Sequence, residues 1–142
     1  MEKEIKKVMV FGTFDIFHPG HINFFNQAKK HGDILIIVVA RDMTVERVKG
    51  EKPLYDEVTR KRKLEHFDRS NKIVLGSQDD PYEIIKKYKP DVICLGYDQE
   101  SFTDKLEEKL IELDVKAKVI RLEPFKEGIY KSSILKEKLK FN

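Results

Sequence analysis

The sequence has a single cysteine, Cys94, within the apolar run DVICLG. One thiol excludes a disulfide framework and also a set of thiolates able to hold a zinc ion. We therefore expect Cys94 to act as a small buried hydrophobic residue.

Long apolar runs are also missing. No stretch approaches the roughly 18 consecutive apolar residues of a membrane-spanning helix. The opening residues, MEKEIKK, carry charges of both signs and lack the apolar core of a secretory signal peptide. The sequence therefore predicts a cytoplasmic protein with no membrane association.

Neither sign of charge is in large excess. The 28 basic and 25 acidic side chains leave a net charge of +3, well short of the basic surface that nucleic-acid binding requires. The basic run RKRK at 60–63 lies among Asp56, Glu57 and Glu65, which is typical of a solvated helix face carrying one functional arginine. We expect no nucleic-acid partner.

The sequence alternates short apolar runs with segments of helical period. Its 142 residues are enough for one domain, predicted to span residues 1–142. Strands are predicted at 7–11, 34–40, 72–75, 91–95 and 117–122, and helices at 20–30, 56–67, 81–89 and 103–113. Alternation of this kind predicts an α/β fold, a doubly wound, Rossmann-like, five-stranded parallel sheet with helices on both faces in three layers.

Polar motifs follow two of the predicted strands. The sequence GTFDIFHPGH, residues 12–21 (the histidine motif), follows the first strand, and GYDQ, residues 96–99, follows the fourth. Ligands of open parallel sheets bind beyond the carboxyl ends of the strands. Both motifs are therefore expected at one edge of the sheet, as parts of one site.

The histidine motif has the composition of a phosphate site. Gly12 lets backbone approach a bound group closely, and Gly20 opens a helix whose N-terminal N–H groups and dipole favour phosphate. His18 and His21 are three residues apart across that opening, so both imidazoles can reach one anion. Two such donors can stabilise the charge that develops on a phosphoryl group in its transition state.

The two histidines also allow two other interpretations. A histidine at a helix start is often a cap, and H-x-x-H also occurs as a pair of metal ligands. A third metal ligand is missing, since His31 and His66 fall in surface-type helical segments. We therefore predict no metal held by the protein, and expect Asp15 to hydrogen-bond within the turn or to hold a histidine in place.

The histidine motif resembles the signature G-T-F-D-x-x-H-x-G-H of the cytidylyltransferase-like nucleotidyltransferases, with every fixed position present. The resemblance continues through ARDMTVERVKGEKP, LGYDQ and EGIYKSSIL, over nearly the whole chain. It implies a direct nucleotidyl transfer, in which an acceptor attacks the α-phosphate of a nucleoside triphosphate and pyrophosphate leaves.

Site residues follow from that resemblance. It implies that His18 and His21 stabilise the pentacoordinate phosphorus, and that Lys52, Arg60 and Ser133 hold the phosphates, with Lys49 as the alternative to Lys52. It also implies a divalent metal ion that bridges the phosphates. The further binding residues that it implies are Gly12, Thr13, Phe14, Pro19, Gly20, Asp98, Phe125 and Ser132.

Within the family, the sequence looks most like the archaeal-type FAD synthases, which adenylate FMN with ATP. Glycerol-3-phosphate cytidylyltransferases carry R-T-E-G and G-H-D-W where this chain has FKEG, beginning at Phe125, and GYDQ. The alternatives left open are a polyol-phosphate cytidylyltransferase that uses CTP, and a nucleotide sensor without turnover. The family resemblance also implies a homodimer.

Overall fold

The computed structural model describes residues 4–99 and 105–124. The strands are β1 (Lys7–Gly12), β2 (Ile34–Val39), β3 (Lys72–Leu75), β4 (Val92–Leu95) and β5 (Lys118–Arg121). The helices are α1 (Pro19–Lys29), α2 (Asp42–Lys49), α3 (Glu57–Phe67), α4 (Glu83–Tyr88) and α5 (Leu106–Glu112). No helix in these ranges is long and apolar enough to cross a membrane.

The five strands form one parallel sheet in the order β3-β2-β1-β4-β5. Val10 of β1 lies opposite Ile37 of β2, and Met9 lies opposite Ile93 of β4. Strand order therefore reverses between β1 and β4, which creates a crevice at the carboxyl ends of these two strands. The predicted doubly wound parallel sheet is confirmed.

Alternate side chains of β1 enter two separate cores. Val8 and Val10 pack on the face covered by α1 and α3, whereas Met9 and Phe11 pack on the face covered by α4 and α5. Burial of each such side chain contributes about 1.5–3 kcal/mol. A strand that is buried on both faces gives the loop that follows it a fixed starting point.

Cys94 lies on β4 and is fully buried. Burial raises the pKa of its thiol to about 11, so the group stays protonated at neutral pH. The expectation that Cys94 serves as a buried hydrophobic residue is confirmed.

Helix α2 is the element that the sequence did not predict. It buries only Val45, while Met43 and Val48 stay 66% and 55% exposed, so most of its apolar surface lies outside the two cores. Gly50 ends the helix with a φ of 80°, a left-handed conformation that glycine adopts without strain. A short, charged helix with one buried side chain has little periodic signal.

Candidate active site

The segments that follow β1 and β4 meet at the crevice. The side-chain amide of Gln99 donates to the carbonyl oxygen of Phe11 over 3.1 Å, and its oxygen accepts from the N–H of Gly96. Arg121 of β5 donates to the carbonyl oxygens of Gly96 (2.7 Å) and Gln99 (2.9 Å), which fixes the second segment. The prediction that both motifs share one edge of the sheet is confirmed.

His18 and His21 cap the N-terminus of α1 reciprocally. Nδ1 of His18 accepts from the N–H of Gly20 at 3.1 Å, and Nδ1 of His21 accepts from the N–H of His18 at 3.4 Å. Pro19 occupies the first helical position, where no N–H is needed. Since Nδ1 of each ring is an acceptor, we infer that the proton of each neutral imidazole is on Nε2.

The two imidazoles form one stacked pair at the start of the helix. Their ring centroids are 3.7 Å apart with an interplanar angle of 24°, and the His18 side chain is buried. Burial lowers the pKa of His18 to about 4. Burial, and then the neighbouring charges of His18 and Lys49, lower the pKa of His21 to about 3. Both rings are therefore neutral N–H donors at pH 7.

Phe14 packs against the histidine pair through His21. Its backbone has a φ of 53°, which is rare for a bulky residue, and its buried ring meets the His21 ring edge-on at 5.3 Å between centroids. A Cβ atom on Gly12 would lie 2.5 Å from Cζ of Phe14. Gly12 is therefore required by the Phe14 ring, a reason that differs from the predicted close approach of a ligand.

Asp15 connects the histidine motif to a distant segment. Its carboxylate is buried and accepts from the N–H of Leu54 (2.6 Å) and of Tyr55 (2.9 Å). The prediction placed its hydrogen bonds within the turn or on a histidine. The structure adds a long-range connection that the spacing of the motif does not reveal.

Arg60 is enclosed by other parts of the protein. Its side chain is 0% exposed, and it donates to the carbonyl oxygens of Tyr55 (3.0 Å) and Thr13 (2.8 Å) and to the Asp42 carboxylate (2.7 Å). A guanidinium closed off from solvent does not touch a nucleotide in this conformation. The guanidinium is thus held by contacts with the protein, and its predicted contact with the phosphates stays a prediction.

The two candidate lysines lie on either side of Gly50. Lys49 ends α2, lines a cavity together with Thr13, and is near enough to His21 to lower its pKa. Lys52 is exposed in the segment that leads to α3. Both lysines are exposed, and the structure gives only Lys49 an electrostatic effect on a histidine of the motif among the interactions described above.

An apolar cavity of about 130 Å³ lies beyond the carboxyl ends of β1, β2 and β3, between α2 and α4. The Oγ1 atom of Thr44 in its wall is buried and has no hydrogen-bond partner within the described ranges. Sequence reasoning missed this cavity because α2, which forms one wall, was not predicted. Its apolar lining consists of Phe11, Val38, Ala40, Val45, Val48, Pro81 and Ile84.

The remaining predicted residues lie farther along the chain. Asp98 is exposed on the loop that follows β4. Phe125, Ser132 and Ser133 fall outside the residues that the structure describes. Within residues 4–99 and 105–124, no group of three or more His, Cys, Asp or Glu side chains is placed to hold a metal ion.

Comparisons with known proteins place these features in a family. The family model described as cytidylyltransferase-like matches residues 9–138. The FAD synthase of Aciduliprofundum boonei is 44% identical over 119 residues, which cover 84% of this chain and 79% of the relative. The FAD synthase of Methanosarcina mazei is 41% identical over 138 residues, which cover 96% of this chain and 90% of the relative.

Solved structures agree on the fold. A Thermoplasma volcanium protein, described as a lipopolysaccharide core biosynthesis protein, is 36% identical with a TM-score of 0.80, covering 87% of this chain and 100% of that one. Pantoate-beta-alanine ligase from Francisella tularensis has a TM-score of 0.66 at 13% identity, covering 96% of this chain and 67% of that one, and shows the fold alone. With the family model matched from β1 to beyond β5, the chain belongs to the cytidylyltransferase-like family of nucleotidyltransferases.

Proposed function

We propose that this protein adenylates FMN with ATP to give FAD and pyrophosphate. The observation that carries the proposal is an apolar cavity at the same edge of the sheet as the stacked pair of neutral imidazoles at the N-terminus of α1. The first element suits a flat, largely apolar ring system, and the second suits a phosphoryl group in transfer. The FAD synthases to which the chain is similar support the same assignment.

The proposed reaction is a direct displacement at phosphorus. A phosphate oxygen of FMN attacks the α-phosphorus of ATP, a new P–O bond forms, and the bond from the α-phosphorus to the oxygen that bridges to the β-phosphate breaks. Pyrophosphate leaves with that oxygen. Because the attacking phosphate is already ionised at neutral pH, no general base is needed, and the protein acts by positioning and by stabilising charge.

His18 and His21 supply the transition-state donors in this proposal. Each Nδ1 accepts from a backbone N–H, so each Nε2–H is oriented before substrate arrives. Donors held in place cost no reorganisation when charge develops on the phosphoryl oxygens. The positive end of the α1 dipole at Pro19 adds to the same field.

Lysine side chains supply the full positive charges. We assign Lys49, next to His21, and Lys52, exposed nearby, to the phosphates of the two substrates. A divalent cation would enter as its complex with ATP and neutralise part of the charge on the phosphates. Lysines on flexible stems can follow the phosphates as the pyrophosphate separates.

The cavity favours FMN over a polyol phosphate as the acceptor. The cavity presents the apolar side chains of Val38, Val45 and Ile84, which a flavin ring would cover. Glycerol phosphate would instead place its hydroxyl groups against these apolar side chains, which is unfavourable. The buried Thr44 hydroxyl can hydrogen-bond to a heteroatom of the ring. Similarity to FAD synthases also favours FMN adenylation over the cytidylyltransferase alternative.

The proposal is tested by pyrophosphate release from ATP or CTP with a set of phosphate acceptors, FMN and glycerol 3-phosphate among them. We expect turnover with ATP and FMN, and FAD as the product. Turnover with CTP and glycerol 3-phosphate but not with ATP and FMN would contradict it. If no pair of substrates gives pyrophosphate, the result would support a nucleotide sensor instead.

A variant of Thr44 tests the place of the ring. Thr44→Val removes the hydroxyl but keeps the shape, and should raise KM for FMN about two- to tenfold, the value of one neutral hydrogen bond. KM for ATP should stay unchanged. Thr44→Ser, which keeps the hydroxyl, is the matched control. Equal KM values for FMN in Thr44→Val and the native protein would remove the ring from this cavity.

Three other expectations, two from the sequence and the homodimer from the family, are also part of the proposal. We assign the protein to the cytoplasm, as a homodimer without a nucleic-acid partner. Light scattering on the purified protein measures the oligomeric state directly. A monomeric mass at assay concentration would contradict the homodimer and leave the reaction unaffected.

A further inference from the structure

Arg60 touches three separate parts of the active-site edge. Its guanidinium donates to the carbonyl oxygen of Thr13 in the histidine motif, to the carboxylate of Asp42 at the start of α2, and to the carbonyl oxygen of Tyr55 just before α3. All three contacts are 3.0 Å or shorter. One side chain of α3 therefore ties together segments that are far apart in sequence.

Residues 43–54, which we call the lysine segment, lie between two of these contacts. Asp42 precedes the segment and Tyr55 follows it, so Arg60 holds the chain at both ends. Lys49 and Lys52 lie between the two anchors. The placement of both candidate phosphate-binding cations therefore depends on a residue that is itself closed off from solvent.

Asp15 reinforces the same connection from the opposite side. Its carboxylate accepts from the N–H of Leu54, the last residue of the lysine segment, and from the N–H of Tyr55. Tyr55 is thus held at its N–H by Asp15 and at its carbonyl by Arg60. Phe14, with its positive φ, lies between the two anchored residues Thr13 and Asp15 and packs against His21.

We propose that Asp15 and Arg60 are positioning residues that hold the lysine segment against the histidine motif. Their contacts make the lysine ammonium groups and the imidazole N–H groups face the same phosphates. The inference rests on the proposed nucleotidyl transfer. It replaces the direct phosphate contact expected for Arg60 with an indirect role, through Lys49 and Lys52.

Stability alone does not account for this arrangement. A buried ion pair loses much of its Coulomb energy to desolvation, and well-packed apolar residues often stabilise a core as well. Here Arg60 donates to two backbone carbonyls and Asp15 accepts from two backbone N–H groups. These backbone groups belong to the segments that carry the phosphate-binding side chains, or directly adjoin them. The contacts specify the position of these segments relative to each other.

A double-mutant cycle separates positioning from stability. Asp15→Asn changes one carboxylate oxygen to an N–H donor that faces a backbone N–H, so one hydrogen bond is lost. It is combined with the double substitution of Lys49 and Lys52 by alanine. We expect Asp15→Asn to lower kcat/KM about tenfold in the native background and less than threefold in the lysine-free background, because the residues that it positions are gone.

Equal fold-changes in the two backgrounds would overturn the proposal, since a merely structural defect acts whether or not the lysines are present. Thermal unfolding of each variant accompanies the kinetics. Arg60→Lys goes through the same cycle, and it replaces Asp15→Asn if that variant does not fold. Arg62→Lys, two residues along α3 and exposed, is the matched control and should retain native kcat/KM.

The same variants distinguish failure of this inference from failure of the proposed function. If the native protein releases no pyrophosphate with any pair of substrates, the proposed function is wrong. The cycle is then read from the affinity for ATP alone, measured by calorimetry. Coupling between Asp15 and the lysines in that affinity would support positioning, and its absence would reject it.

Discussion

The histidine motif and the lysine segment face the same site but differ in almost every physical property. The imidazoles of His18 and His21 are stacked, fixed by backbone hydrogen bonds, and neutral because burial lowers each pKa. Lys52 is exposed and its neighbour Lys49 is at the end of a short helix. One region offers orientation without charge, and the other offers charge with less fixed orientation.

This difference divides the work of phosphoryl transfer. Neutral donors in fixed positions favour the geometry of the transition state over that of bound substrate, so they should act mainly on kcat. Exposed cations attract triphosphate in the ground state and the transition state alike, so they should act more on KM. Variants of each region can test whether the division holds.

The largest effect is expected from the histidines. Replacing His18 or His21 with alanine removes one preorganised donor and should lower kcat by about a hundred- to a thousandfold, with a small change in KM. Steady-state pyrophosphate release measures both parameters. His31→Ala, beyond the C-terminal end of the same helix, serves as control and should behave as the native protein. Near-native kcat in both alanine variants would remove the proposed donor role.

A smaller effect is expected from the lysines. Lys49→Ala or Lys52→Ala should lower kcat/KM about tenfold, chiefly through KM, as expected for loss of one charge-assisted contact. Lys30→Ala, at the far end of α1, makes the same change of charge away from the site. If Lys52→Ala has native kinetics while Lys49→Ala does not, the phosphate contact belongs to Lys49. The loss should shrink at high salt, which screens exposed charges.

Much of this comparison could be predicted from the sequence. Continuous apolar runs such as ILIIVVA require burial on both faces, and this places their carboxyl ends at one edge of a parallel sheet. The histidine motif comes directly after the first such run, so its position at this edge of the sheet could be predicted. Its helix start was also predicted to within one residue, since the predicted helix begins at residue 20 and the observed one at Pro19.

Other features depend on contacts that local sequence does not encode. The position of Arg60 is set by acceptors on Thr13, Asp42 and Tyr55, which come together only in the folded chain. On a helix with many basic residues, a buried arginine has the same local pattern as an exposed one. Helix α2 was missed for the related reason that only Val45 contributes to a core.

A test of stability in place of kinetics addresses the neutrality of the histidine pair. In the unfolded chain both histidines have an ordinary pKa near 6.5, whereas burial lowers the pKa to about 4 for His18 and about 3 for His21 in the folded protein. As pH falls below about 6.5 the unfolded chain binds protons that the folded site does not, so the free energy of unfolding must decrease. The loss is gradual and ends once the folded rings are protonated.

Urea unfolding between pH 4 and pH 8 measures this dependence. His18→Asn keeps a side chain suited to capping α1, and combined with His21→Asn it should flatten the curve above about pH 4. Asp68, whose pKa is lowered to about 2 by hydrogen bonds from Lys29 and Ser70, acts in a separate window. The stability that Asp68 contributes is lost only below the ordinary pKa of a carboxyl group, about 4. Asp68→Asn should therefore leave the shape of the stability curve above pH 5 unchanged. A native protein whose stability is constant from pH 7 to pH 4 would mean that the imidazoles titrate with an ordinary pKa in the folded state, so that burial does not keep them neutral as the pH falls.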